Sequence, residues 1–161
     1  MTASVFFSFH YDRDNWRVQQ IKNLGIVEGQ PVLEGQDWEE VKRGGQEGIK
    51  KWIGSQMAGK KAVVVLAGAK TAERPWVQYE IRKAWQDKIP LVGIRIHGMK
   101  GSDGQTDTFG ADPFAQIPTQ GGGTLANYLT LYNPSGSTST DVFASISSNI
   151  ESWVNSAYKR S

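Results

Sequence analysis

A tryptophan and a glutamate four residues apart, Trp76 and Glu80, are the side chains whose types and spacing best suit chemistry in this sequence. Positions four apart share one face of an α-helix, so the pair would place an aromatic ring beside a carboxylate. Pro75 suits the first helical position, because its missing N–H would have no partner there. A ring beside a carboxylate fits a flat, cationic substrate. A glutamate near a helix start is also commonly a solvated residue favoured by the helix dipole, so its surroundings must decide.

The elements that must position this pair alternate between strand and helix. Apolar spacing predicts strands over 4–11, 61–68, 90–97 and 125–132, and a further short strand at 31–33. Helices are predicted over 12–24, over one long stretch at 37–57, over the segment that carries Glu80, and over 139–159. In the Glu80 helix the apolar stripe that faces the core consists of Val77, Ile81, Ala84 and Trp85. Residues 98–123, rich in Gly, Asp, Thr and Pro, are predicted to form a surface loop.

This alternation predicts one domain over residues 1–161, built as an open parallel α/β sheet of the flavodoxin type with helices on both faces. Ligands of such sheets bind at the carboxyl ends of the strands, where the strand order reverses. The candidates after the first strand are Phe9, His10 and Arg13, and Thr71 is the candidate after the third. The planar guanidinium of Arg13 suits a phosphate, although a solvated arginine is an equal alternative. His10 could contact a ligand or simply end the strand.

Composition excludes several classes of partner and site. The formal net charge is +2, from 18 basic and 16 acidic residues, which indicates neither nucleic acid nor a membrane surface as a partner. The absence of cysteine excludes disulfides and thiolate nucleophiles, and with two distant histidines we expect no metal site. No glycine-rich phosphate-binding motif is present. The first residues run into a strand-like segment without a leader pattern, and no stretch has the length of a membrane span, so we expect a cytoplasmic protein.

Several short motifs resemble Toll/interleukin-1 receptor (TIR) domains. They are Val5-Phe6-Phe7-Ser8-Phe9, the apolar strand that ends at Gly68, and Trp76-Val77-x-x-Glu80. The bacterial TIR-like branch that includes the TIR protein of the Thoeris anti-phage system is a closer match. The motifs that resemble this branch are Lys50-Lys51-Trp52-Ile53, Trp76-Val77-Gln78-Tyr79-Glu80-Ile81, and Ile96-His97 followed by Asp103, Asp107 and Gly110-Ala-Asp-Pro-Phe114. The resemblance covers residues 5–114 and implies the same flavodoxin-like fold. Two features depart from it: Arg74 stands where a small hydroxyl residue is common, and residues 119–139 match no family feature.

The resemblance implies an enzyme that cleaves NAD between nicotinamide and ribose, with Glu80 as the catalytic residue. NAD would be the substrate, no cofactor would be needed, and a cyclic ADP-ribose isomer would be read by a separate effector protein. Phe9 and His10 match positions that line the pocket in relatives, and Trp76 either stacks on the substrate or packs its helix. Asp37 and Trp38 fall in a loop that in TIR domains helps to form assemblies and close the site. Self-association is therefore expected.

Two other functions share this fold. A TIR scaffold would bind other TIR domains without catalysis, but it has no chemical need for a carboxylate at Glu80. A phosphoacceptor receiver requires an aspartate at the end of the third strand, and that strand ends in Ala67-Gly68-Ala69-Lys70. The enzymatic function is favoured. One carboxylate is sufficient for it, because nicotinamide leaves a pyridinium as a neutral molecule and needs no general acid, unlike an ordinary glycoside. Whether the product is cyclic or linear stays open.

Overall fold

A parallel five-stranded sheet in the order β2-β1-β3-β4-β5 forms the centre of the molecule. The computed structural model describes residues 2–31 and 35–161, with the side chains of residues 35–38 outside that description. The strands are β1 (Ala3–Phe9), β2 (Val27–Glu28), β3 (Ala62–Ala67), β4 (Leu91–Arg95) and β5 (Leu131–Tyr132). The helices are α1 (Tyr11–Asn23), α2 (Gly35–Arg43), α3 (Gly45–Met57), α4 (Pro75–Gln86) and α5 (Ser139–Asn155). Short 3₁₀ turns cover Thr71–Glu73, Pro113–Gln116 and Leu125–Asn127.

The strand order confirms the predicted flavodoxin-like sheet, and it reverses between β1 and β3. All six residues of β3 are buried, as expected for a central strand covered on both faces. Alternate residues of β1 enter two separate cores: Val5 and Phe7 pack with α1 and α5, whereas Phe6 packs with α3 and α4. The helices therefore cover both faces of the sheet. None of the helices in the described part of the chain has both the length and the apolar character needed to cross a bilayer.

The edge of the sheet next to β1 is completed by a side chain. The Gln30 amide accepts a hydrogen bond from the Phe7 N–H at 2.8 Å and donates one to the Phe7 carbonyl at 2.8 Å. Strand β2 has only two residues, and beyond it the Gln30 amide takes the place of a backbone peptide group in pairing with β1. Gly29 lies so close to the Phe7 ring that an added Cβ would fall 2.5 Å from it. The carboxyl end of β1 is consequently held from both sides.

The helix predicted over 37–57 is wrong as a single element, since the chain forms α2 and α3. Gly45 adopts φ +64, a left-handed conformation that interrupts a continuous right-handed helix, and α3 begins with this residue. Asp37 and Trp38, expected in a loop, fall within α2, and their side chains lie outside the described part of the chain. The strand predicted at 31–33 also lies mostly outside that part; the described edge strand is β2, upstream of it.

Several predicted boundaries differ in the second half of the chain. The strand predicted over 125–132 begins instead as a 3₁₀ turn, because Thr124 and Asn127 form a capping box, and only Leu131–Tyr132 pairs with β4. Helix α5 ends at Asn155, and the tail beyond it turns back so that Tyr158 pairs with Leu91. The segment 98–123 is not simply a surface loop, since its apolar side chains Met99, Phe114 and Ile117 are buried.

Candidate active site

The carboxyl ends of β1 and β3 and the second turn of α4 meet at the point where the strand order reverses. Helix α4 begins at Pro75, as predicted, and buries Val77, Ile81 and Ala84 against the sheet. This packing turns Glu80 toward β1. The Ser8 hydroxyl donates a hydrogen bond to Glu80 Oε1 at 2.7 Å. The serine is fully buried and the glutamate is partly exposed, so this hydrogen bond connects a core residue with a residue that reaches the surface.

The Glu80 carboxyl is buried, although the residue as a whole is partly exposed. Burial raises its pKa from 4.5 to about 8, and the hydrogen bond from Ser8 opposes that rise. Among the described residues, no Lys, Arg or His nitrogen lies within 4.0 Å of this carboxylate. Its other oxygen, Oε2, has no hydrogen-bond donor among them either. The group is suited to exchanging a proton near neutral pH and to receiving a cationic ligand.

Trp76 lies one turn before Glu80 and is partly buried. Its ring meets Tyr79 edge to face, with centroids 5.5 Å apart, and packs against the core between α3 and α4. Lys50 of α3 lies 5.6 Å from the centre of the Tyr79 ring and links the two helices. Arg74 is the N-cap residue of α4 and makes no side-chain capping hydrogen bond. The structure therefore gives Trp76 a packing role and leaves part of its surface accessible.

Phe9 and His10 lie at the carboxyl end of β1, both partly buried. The Phe9 ring lies 6.2 Å from the ring of the exposed Tyr11. His10 is the N-cap of α1, and its Nδ1 accepts a hydrogen bond from the Arg13 backbone N–H at 3.3 Å. The strand predicted over 4–11 therefore ends at Phe9, because this capping bond begins the helix at Tyr11. The other imidazole nitrogen of His10 makes no hydrogen bond within the described part of the chain.

Arg13 is engaged by a carboxylate of the loop after β4. Its Nε lies 2.6 Å from Asp107 Oδ2 and its Nη2 lies 2.9 Å from Oδ1, a bidentate pair. These hydrogen bonds hold the pKa of Asp107 at about 2. The Arg13 side chain remains 43% exposed, so the pair is at the surface. Asp107, rather than open solvent, is the resting partner of the guanidinium that the sequence suggested for a phosphate.

Thr71 is buried in the turn after β3. Its Oγ1 accepts a hydrogen bond from the Gly68 N–H at 2.8 Å, which fixes the turn that leads into α4. This contact places Thr71 behind the strand end and gives it a structural role in holding the site.

A buried ion pair beside the site was not expected from the sequence. Asp14 and Arg17 of α1 are both buried, with Arg17 Nη1 2.9 Å from Asp14 Oδ1. Arg17 also donates to the carbonyls of Met99 and Gln105, at 2.7 and 3.1 Å. Burial raises the pKa of Asp14, and Arg17 opposes that rise. The sequence did contain a signal for this buried pair, because the two charged residues occupy the inward-facing positions of the helix next to Val18.

Arg95 ties the same loop to the end of β4. The residue is buried, and its Nη1 donates to the Gly110 carbonyl at 2.8 Å. Its guanidinium carbon lies 3.7 Å from the centre of the exposed Phe109 ring. Gly110 lies directly against the carbonyls of Gly68 and Ala69, where a Cβ would fall 2.6 Å from each. The loop is thereby held against the strand ends that carry the site.

The structure brings Ser8 and Glu80 into direct contact, and it places Phe9 and His10 at the same end of the sheet. Ser8 was part of a quoted motif but was not predicted as a site residue. Among the described residues, no three His, Asp or Glu side chains are placed to hold a metal ion.

Comparisons with known proteins identify the family of this chain. The family model of the Thoeris protein ThsB, TIR-like domain, matches residues 6–101, which run from β1 past β4 and contain Ser8 and Glu80. A Bacillus cereus (strain MSX-D12) protein named "Putative cyclic ADP-D-ribose synthase ThsB1" is 31% identical over 125 residues, 74% of this chain and 65% of the relative. The chain thus spans just under two thirds of that relative's length. Because the model matches more than half of the 161 residues and the fold agrees, the chain belongs to the family of TIR-like domains of the Thoeris protein ThsB.

Proposed function

We propose that this chain is an enzyme that cleaves the nicotinamide–ribose bond of NAD and forms a cyclic ADP-ribose isomer. The observation that carries the proposal is Glu80, a carboxyl held by Ser8 with no cationic partner among the described residues. The name of the Bacillus cereus relative, a cyclic ADP-D-ribose synthase, supports the same reaction. In a Thoeris-type anti-phage defence the product would act as a signal for a separate effector protein, in the cytoplasm where NAD is available.

The chemistry requires one carboxylate. The pyridinium charge of NAD disappears when the bond to ribose breaks, and nicotinamide leaves as a neutral molecule. The ribose then develops oxocarbenium character, which an adjacent carboxylate stabilises. The positive charge of bound NAD favours the ionised form of Glu80 and so opposes the burial that raises its pKa to about 8.

Ring closure releases one proton. A hydroxyl of the same NAD attacks the anomeric carbon, and the products are the cyclic ADP-ribose, nicotinamide and H⁺. Glu80 can accept that proton from the attacking hydroxyl, since a carboxyl with a pKa of about 8 is a competent base near neutral pH. If water attacks in place of the hydroxyl, the same steps give linear ADP-ribose.

The other predicted residues have defined places in this proposal. Phe9, His10 and the accessible part of Trp76 line the nicotinamide–ribose end. Arg13 reaches the pyrophosphate after leaving Asp107, its partner in an ion pair at the surface. Thr71 supports the turn beneath the substrate through Gly68. Self-association, with Asp37 and Trp38 near the contact, completes the proposal.

The test is mass-resolved chromatography of NAD incubated at high protein concentration. We expect the wild-type chain to release nicotinamide with an ADP-ribose product whose mass distinguishes cyclic from linear, and Glu80→Gln to release none. Glu151→Gln, a matched change at an exposed position of α5, should behave as the wild type. No turnover by any variant, at concentrations that allow assembly and with phage lysate added, would refute the enzyme and leave the interaction scaffold as the better account.

A further inference from the structure

Ser8 is a buried hydroxyl in a strand of apolar neighbours, and its placement is unexplained by packing alone. Its side chain is fully buried between Phe7 and Phe9 along β1. A buried hydroxyl without a hydrogen-bond partner is unfavourable, so a residue of this kind at the sheet centre needs a polar contact. The partner is Glu80 Oε1, 72 residues away in sequence.

We propose that Ser8 is the positioning residue of the reaction: its hydroxyl fixes the Glu80 carboxylate so that Oε1 is held toward the core and Oε2 is left for the substrate. This inference rests on the proposed function. Ser8 acts through Glu80 and makes no contact with the reacting atoms.

The backbone that carries Ser8 is fixed on both sides. Ser8 pairs in register with Val65 of β3, and the preceding residue, Phe7, is bonded through both its N–H and its carbonyl to the Gln30 amide. The serine oxygen therefore has a defined position. It is the hydrogen-bond donor to Glu80 among the described residues, and Oε2 has none there. One anchored oxygen restricts rotation of the carboxylate and leaves the other oxygen for a ligand.

The same contact biases protonation. A hydrogen bond donated to a carboxylate favours its ionised form, and here it opposes the effect of burial. Removing the hydroxyl should therefore raise the pKa of Glu80 further. A serine that only filled space would have no such effect, so protonation separates the positioning role from a merely structural one.

The experiment compares Ser8→Ala, Ser8→Cys and Ser8→Thr with the wild type. Nicotinamide release is measured across pH to give kcat and KM, and the Glu80 carboxyl is titrated by carbon-13 NMR with labelled glutamate. Ser8→Ala should lower kcat on the order of 10- to 100-fold with little change in KM, since a hydrogen bond to a charged group is lost. The pH midpoint of this variant, both in the pH dependence of kcat and in the NMR titration of Glu80, should move upward. Ser8→Thr keeps the donor and should restore both.

Two matched variants separate volume and strand effects. Ser8→Cys keeps the buried volume with only a weak donor, so it should follow Ser8→Ala and it provides the test if the alanine variant does not fold. Ser4→Ala removes a hydroxyl elsewhere on β1, one that accepts from Lys60, and should leave the profile unchanged.

The outcomes distinguish the two proposals. Absence of nicotinamide release from the wild type refutes the proposed function and with it the positioning role of Ser8 in the reaction, while the NMR titration still reports whether Ser8 governs the ionisation of Glu80. An active wild type with unchanged kcat and midpoint in Ser8→Ala overturns the inference. So does a fall in kcat without a shift in midpoint, because that result is what lost packing would produce.

Discussion

Glu80→Gln should stabilise the folded chain at neutral pH, although it removes the proposed catalytic group. In the folded protein burial raises the pKa of Glu80 from 4.5 to about 8. The unfolded chain releases this proton near the ordinary value, so the folded state binds more protons between the two. Stability must then fall as pH rises from about 4.5 towards 8, and it is independent of this group below that range. Glutamine is neutral throughout and still accepts the hydrogen bond from Ser8.

The size of the effect follows from the two pKa values. Each pH unit between them corresponds to about 1.4 kcal/mol of differential stability. The glutamine variant should exceed the wild type by about 1 kcal/mol at pH 5, by about 3 kcal/mol at pH 7, and by nearly 5 kcal/mol above pH 8. These are upper bounds, because Glu80 is partly exposed and water reduces the burial penalty. For a chain of this length, 3 kcal/mol corresponds to roughly 6–12 °C in Tm.

Urea denaturation at pH 5, 7 and 8.5 measures this difference directly. The free energies of unfolding of the wild type and Glu80→Gln should diverge as the pH rises. Glu151→Gln removes the same charge from an exposed position of α5 and should show only a small difference at every pH. A difference that does not change with pH, or a glutamine variant less stable than the wild type at pH 7, would refute the assignment of the burial penalty to this carboxyl.

Two further variants test the charges around the site. Arg17→Met leaves the buried Asp14 carboxylate unpaired, so it should lower the free energy of unfolding, measured by urea denaturation at pH 7, by about 3–5 kcal/mol. The double variant with Asp14→Leu should recover much of that loss. A double variant as unstable as the single one would contradict the argument. Asp107→Asn breaks an exposed pair and should change stability by less than about 1 kcal/mol. It frees Arg13, so the KM for NAD should fall; a rise would mean that Asp107 holds Arg13 in the position that binding needs.

The sequence was sufficient for the architecture because the relevant signals are local. Continuous apolar character identified β3 as a central strand, and the spacing of Val77, Ile81 and Ala84 after Pro75 set both the start and the buried face of α4. From that face, the position of Glu80 at the edge of the core followed. The break between α2 and α3 was harder to predict. Gly45 divides the one predicted helix into two through its positive φ, and a glycine at that position in the sequence does not by itself indicate such a conformation.

The contacts of the site could not be predicted in the same way, because they join residues distant in sequence. Ser8 and Glu80 are separated by 72 positions, and Arg13 and Asp107 by 94. Neither pairing produces a periodic pattern in the sequence. The roles of Ser8 and Asp107 became visible only when packing of α4 and of the loop after β4 had placed them.

The distribution of charge at this end of the sheet gives the strongest argument about the ligand. In the described part of the chain three arginines lie near the strand ends, and each is already engaged: Arg13 by a carboxylate, Arg17 by a carboxylate and three carbonyls, and Arg95 by a carbonyl and an aromatic ring. Glu80 receives none of these cations and is held by a neutral hydroxyl. Burial keeps this carboxyl largely protonated at neutral pH, and an adjacent positive charge would favour its ionised form. A cationic ligand would supply such a charge, and in the proposed reaction the pyridinium of NAD does so until the bond to ribose breaks.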